Sequence, residues 1–256
     1  MRSIAMTDQI VATLKDGIFQ IRINRPEKKN ALTEDMYAAL AAALSQADEN
    51  PEVRVVTLTG TGDSFTSGND VADFLKRDTG SPHQRPVGAF LVAIAANRKP
   101  LIAGVNGMAI GVGVTILLHC DLVYAAEGAT LQMPFTNLGV VPEAASSQLL
   151  PQMVGYHRAA ELMLLGERID ARRALEIGLI NGVSPAAELA AVVTARAAII
   201  AAKPASSILA TKALLRRSPE PMLARMSVEN AEFARLLQTP EARAIMQAFL
   251  DRRKAG

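Results

Sequence analysis

Two glycine-containing segments and one glutamate hold most of the chemistry this sequence offers. The segments are Phe65-Thr-Ser67-Gly68-Asn69-Asp70 and Gly107-Met-Ala-Ile-Gly111-Val112-Gly113. Each lies where a predicted strand runs into a predicted helix. The first amide groups of a helix have no intrahelical acceptor and carry the positive end of the helix dipole. Two such termini aimed at one point would stabilise negative charge developing on an oxygen, an oxyanion hole made of backbone. Glycine at the turns lets a ligand approach the main chain. The same spacing equally suits two ordinary strand-to-helix turns. Glu143 follows Pro142 and precedes Ala-Ala-Ser-Ser147. It reads either as a first-turn glutamate favoured by the dipole of a helix beginning near residue 144, or as a general base.

Other chemistries are excluded by residue type and spacing. There is no Gly-x-Ser-x-Gly elbow, hence no standard α/β-hydrolase nucleophile. Residues 107–113 lack the Lys-Ser/Thr of a phosphate-binding loop and miss the dinucleotide spacing. The three histidines, His83, His119 and His157, are far apart, and the neighbours His119-Cys120-Asp121 would point in different directions on a helix rather than at one metal. A lone cysteine excludes an intramolecular disulfide. A net charge of +2 with a pI of about 8.8 is too balanced to imply nucleic acid or an anionic membrane.

Positioning these groups takes a packed core, and half of the 256 residues are hydrophobic, enough for one large domain. Residues 9–14 and 18–24 alternate apolar and polar around Asp16-Gly17, the pattern of a hairpin. Thr33 caps a predicted helix to about residue 47. A buried strand over 53–59, a short helix near 71–76, a polar rim or lid over 77–86, a helix over 87–97 and strands over 101–105, 122–125 and 129–132 follow. Residues 101–118 have only Asn106 and Thr115 as polar interruptions. Four glycines in that run argue for a buried strand, a turn and a helix start rather than a membrane span. From about residue 144 the chain reads as almost all helix. No signal-length apolar segment opens the sequence, so a cytoplasmic protein is expected. The strand–helix alternation predicts an α/β core over residues 1–202 with parallel strands, followed by a helical region over 203–256.

These segments, in this order, resemble the crotonase superfamily of enoyl-CoA hydratases and isomerases. The resemblance runs from Asn24-Arg25-Pro-Glu-Lys28-Lys-Asn-Ala-Leu32 through the segment at 65–70. It continues through Lys99-Pro-Leu-Ile-Ala-Gly-Val-Asn-Gly-Met-Ala-Ile-Gly-Val-Gly113, Cys120-Asp121 and Leu138-Gly-Val-Val-Pro142. It implies the crotonase fold, a spiral of ββα units with a C-terminal helical tail, and an acyl-CoA substrate. Coenzyme A would be part of that substrate, with no further cofactor and no metal. The N–H groups of Asn69 and Val112 would bind the thioester oxygen, with Ser67, Gly68, Val71 and Gly111 lining the acyl-CoA site.

Hydratase members hold water between two glutamates. Those positions fall here on Thr115 and Phe135, neither of which is a carboxylate. The resemblance is instead to Δ3,Δ2-enoyl-CoA isomerases, in which one glutamate, at the place of Glu143, moves a proton. Phe135, Leu138, Val140 and Val141 would supply an apolar wall. Arg25 and Lys28 lie in the loop that in relatives passes near the CoA nucleotide, although a solvated loop is also consistent. Asp70 would bond the adenine end or cap the next helix.

Relatives that bind RNA use a lysine-rich helix, whereas residues 33–49 hold no Lys or Arg, so neither a nucleic-acid nor a membrane partner is expected. The resemblance implies a homotrimer or a dimer of trimers, in agreement with apolar positions Leu214, Leu215, Met222, Met226 and Phe233 in the tail. In relatives the C-terminal helices pack across a subunit boundary and help cover CoA, whereas the tail's Arg252, Arg253 and Lys254 read equally well as a frayed basic end.

Overall fold

The computed structural model of the chain describes residues 2–4, 7–70, 72, 85–217 and scattered positions between 226 and 244. Its first elements follow the alternation in the sequence. Strands β2 (Ile10–Lys15) and β3 (Ile18–Ile23) pair antiparallel, and Asp16 and Gly17 both have positive φ, as a two-residue hairpin requires. Strand β1 (Arg2–Ile4) extends the hairpin.

Helix α1 (Glu34–Glu49) starts where Thr33 accepts a hydrogen bond from the Met36 N–H. Its apolar face packs on helix α2 (Pro86–Ala96), with Tyr37 and Phe90 rings 5.4 Å apart. Between these helices in sequence come strands β4 (Val55–Gly60) and β5 (Ser64–Thr66).

Next come β6 (Leu101–Val105), β7 (Met108–Ile110), helix α3 (Val112–Leu117), β8 (Leu122–Ala126) and β9 (Thr130–Gln132). Helices α4 (Ser146–Val154) and α5 (Tyr156–Ala160) precede β10 (Arg168–Asp170), α6 (Ala171–Glu176) and β11 (Gly182–Ser184). Helices α7 (Leu189–Ala201) and α8 (Ala205–Leu215) close the described core.

Two sheets result. One runs β1-β2-β3-β4-β6-β8-β11, parallel from β3 onward; the other runs β10-β9-β7-β5, parallel except at β10. Every residue of β6 is buried. The cause is cover on both faces: Leu189, Val193 and Ala197 of α7 pack with Ile102, Val55 and Ala126, while the main core lies on the other side.

Strands β5, β7 and β10 of the second sheet, with β11 at the end of the first, are the main departure from expectation. β5 and β7 lie inside the two glycine segments, and β10 and β11 interrupt a stretch expected to be helical. Each is three residues long, too short to show a period of two. Among the described residues no single helix is long and apolar enough to cross a membrane. Position Val71, the short helix expected near 71–76 apart from residue 72, most of the rim at 77–86, Met222 and the tail residues Arg252, Arg253 and Lys254 lie outside the described residues.

Candidate active site

β5 and β7 pair in parallel, so the segments that follow them leave the sheet at the same edge. Ser67-Gly68-Asn69 follow one strand and Gly111-Val112 the other. Asn30 fixes the first segment. It is fully buried with φ 56°, a conformation that asparagine tolerates better than most residues. Its Nδ2 donates to the carbonyls of Thr61 (2.9 Å) and Ser64 (2.7 Å), and its own carbonyl accepts from Thr66 Oγ1 (2.7 Å). Thr66 Oγ1 in turn accepts from the Gly68 N–H (3.1 Å).

Leu32 forms a parallel bridge with Asn69: the Leu32 N–H donates to Gly68 O and the Asp70 N–H to Leu32 O. That bridge turns the N–H of Asn69 away from Leu32. The Tyr37 hydroxyl donates to Asn69 Oδ1 at 2.5 Å and holds the side chain aside.

The second segment ends on α3, whose first residue is Val112. Gly111 has φ +57°, and a side chain there would enter open space. Among the described residues neither the Asn69 N–H nor the Val112 N–H has a hydrogen-bond acceptor.

Glu143 reaches the same helix. Thr115 Oγ1 lies 3.2 Å from Glu143 Oε1 and 3.2 Å from the Val112 carbonyl. The carboxylate therefore stands within two hydrogen-bond lengths of the residue whose N–H is unengaged, and its residue is half-buried.

Glu143 is not a first-turn helical residue. Helix α4 begins only at Ser146, after Ala144 (φ 55°) and Ala145 (φ 54°). The Ser146 N–H and hydroxyl both bond the Glu143 carbonyl, at 2.9 and 2.6 Å. The alanines' helical propensity is overridden by this turn and by a hydrogen bond between His119 Nε2 and the Ala144 carbonyl (2.9 Å). Burial lowers the His119 pKa, and the Arg216 guanidinium pushes it the same way.

The other expected residues fall in different settings. Phe135 is buried, whereas Leu138 (73 % exposed), Val140 and Val141 (80 %) face outward. The expected apolar wall is therefore not enclosed by this chain. The cause is the short 3-10 turn over Thr136–Leu138, which ends at left-handed Gly139 and carries these side chains away from the core. Arg25 is committed internally, with Nη1 2.7 Å from Asp70 Oδ2 and 3.0 Å from the Ala31 carbonyl. Asp70 also accepts from the Ala72 N–H (3.0 Å), as a capping side chain does. Lys28 is exposed and Ser67 half-buried. Asn30, Tyr37 and His119 were not legible as site residues. Tyr37 reads as one more apolar position of α1, and the partners that place the other two in the site, Ser64 for Asn30 and Ala144 for His119, lie 25 or more residues away.

A parallel-stranded spiral that brings two unengaged amides and one carboxylate to a shared edge defines a crotonase-fold protein. The sequence profile of the enoyl-CoA hydratase/isomerase family matches residues 13–256, and the chain belongs to that family. Enoyl-CoA delta isomerase 2 of Rattus norvegicus is 37 % identical over 225 residues, 86 % of this chain and 57 % of its own length. The chain thus spans little more than half of that relative. A crotonyl-CoA hydratase of Syntrophomonas wolfei is 32 % identical over 97 % of each chain. A solved structure from Magnetospirillum magneticum, described as an enoyl-CoA hydratase/carnithine racemase, superposes with a TM-score of 0.93. It is 41 % identical and covers 96 % of this chain and 97 % of its own.

Proposed function

We propose that the chain is an enzyme that converts 3-enoyl-CoA to 2-enoyl-CoA. The observation that carries this is the Thr115–Glu143 hydrogen bond. It joins Glu143 to α3 at Thr115, where the resemblance puts the first of the two hydratase glutamates. The C2 proton of a 3-enoyl thioester is both α to a carbonyl and allylic. Glu143 takes it: the C2–H bond breaks, an O–H bond forms on the carboxylate, and the electron pair spreads into a dienolate ending on the thioester oxygen. The Asn69 and Val112 N–H groups stabilise that oxygen. The carboxyl then returns the proton to C4, which leaves the double bond at C2 and the carboxylate regenerated. Water takes no part.

The test compares 3-enoyl-CoA with crotonyl-CoA. Wild type should convert the first to its conjugated isomer and leave the second unhydrated, and Glu143→Gln should lower kcat by about a thousandfold. A fully active Glu143→Gln would sink the assignment of the base. Rapid hydration of crotonyl-CoA would favour a second reading, hydration, which the likeness to the Syntrophomonas wolfei enzyme supports. The exposed Leu138, Val141 and Leu215 support association of copies, as a trimer or a dimer of trimers, which the mass measured in solution by light scattering would test.

A further inference from the structure

His119 follows α3, four residues after Thr115, and its ring is buried at the level of the Glu143 turn. A carbonyl oxygen only accepts, so the 2.9 Å contact to the Ala144 carbonyl requires the proton on Nε2. Besides Arg216, which donates to the His119 carbonyl, the adjoining elements carry Glu143 itself and the pair Asp121–Lys212, whose members bond each other. The imidazole donor is thus spent on one peptide group, the one that joins Ala144 to Ala145.

That peptide group lies where the backbone is least at ease. Ala144 and Ala145 are consecutive left-handed alanines, a conformation in which Cβ crowds the following carbonyl oxygen. Alanine is also the strongest helix former, and Ala145, as N-cap of α4, offers no side-chain cap. Freed, the pair would wind onto the start of α4 and carry Glu143 round with it. Helix α3 and the turn after it hold this segment at two points: Thr115 at the Glu143 carboxylate and His119 at the carbonyl of the next residue, Ala144.

We propose that His119 is a positioning residue for Glu143, its Nε2–H holding the left-handed Ala144–Ala145 turn that sets the carboxylate against Thr115. The proposal rests on the reading of Glu143 as the proton carrier.

The test pairs His119→Leu, which removes the donor, with His119→Gln, whose amide reaches to a similar distance. With 3-enoyl-CoA, His119→Leu should lose about tenfold or more in kcat while KM stays within about twofold, and His119→Gln should recover most of the loss. A crystal structure of His119→Leu should show residues 144–145 turned right-handed. Wild-type kcat in the leucine variant, equal losses in both variants, or an unchanged turn would each overturn the proposal. Should the leucine variant fail to fold, the nitrogen NMR spectrum of the wild-type imidazole decides. A neutral ring protonated at Nε2 is expected, and protonation at Nδ1 would refute the hydrogen bond. Glu143→Gln assayed alongside separates the two claims. If it is inactive while His119→Leu is fully active, only the role of His119 fails; if it is active, the role of Glu143 fails.

Discussion

Gly68 stands against the main chain of Ile110: a methyl group on its α-carbon would lie 2.9 Å from the Ile110 carbonyl oxygen, and its φ is +95°. Both facts favour glycine there. This contact seats the loop after β5 against the end of β7 and so fixes Asn69 relative to Val112. Gly68→Ala should cost about 2 kcal/mol of stability and lower kcat/KM at least about tenfold, since the loop has to move off Ile110. Urea denaturation alongside enzyme assays would check this. An alanine variant of wild-type stability and activity would mean that the contact does not position the site.

Thr115 has one hydroxyl proton for two acceptors, the Val112 carbonyl and Glu143 Oε1. When it points to the carboxylate it orients the base. Thr115→Val keeps the shape and removes the proton, so kcat should fall about three- to tenfold. Thr115→Ser, which keeps the hydroxyl, should stay within about twofold of wild type. Equal rates for valine and serine would remove the hydroxyl from the mechanism.

What could be read before the fold was known divides along a physical line. The hairpin around Asp16-Gly17, the Thr33 cap and the buried β6 are set by neighbours in sequence, and each lies where expected. Asn69, Val112 and Glu143 gain their roles only from the family resemblance, because glycine spacing and a Pro-Glu pair suit ordinary turns equally well. Arg25 was not legible as internally paired, because its partner Asp70 lies 45 residues away. Ala144 and Ala145 contradict their own propensity, and nothing nearby in sequence announces that His119 will hold them. The short strands of the second sheet exist because of their pairing partners rather than their composition.

Burial keeps the folded-state pKa of His119 below its ordinary value of 6.5. Between 6.5 and that lower pKa the unfolded chain binds a proton that the folded chain does not, so stability rises with pH there. The contribution is fully present above about pH 6.5 and is lost as pH falls through the folded pKa. Urea unfolding at about pH 7.5 and 5.5 should therefore show a larger acid loss in wild type than in His119→Gln, which has nothing to titrate. An identical loss in both would mean that His119 is not the group responsible.

Lys212 on α8 is a buried cation. Its Nζ lies 2.7 Å from Asp121 Oδ2 and 2.6 Å from the Lys99 carbonyl, and the same Asp121 oxygen accepts from the Leu101 N–H (2.7 Å). Burial lowers the Lys212 pKa, while Asp121 acts to raise it. The pair ties α8 to the start of β6 and to the turn after α3, two residues beyond His119. Lys212→Met replaces the cation with an apolar chain of similar length but strands Asp121, whose remaining partners among the described residues are the Leu101 N–H and Arg216 at 3.8 Å. A loss of about 2–3 kcal/mol is expected, less than for a pair with no second cation. Asp121→Asn added to Lys212→Met keeps an oxygen for the Leu101 N–H and removes the stranded charge, so the double variant should regain about 1 kcal/mol. A double variant that loses as much as Lys212→Met and Asp121→Asn made singly lose together would show instead that α8 is held by packing, with the ion pair contributing nothing of its own.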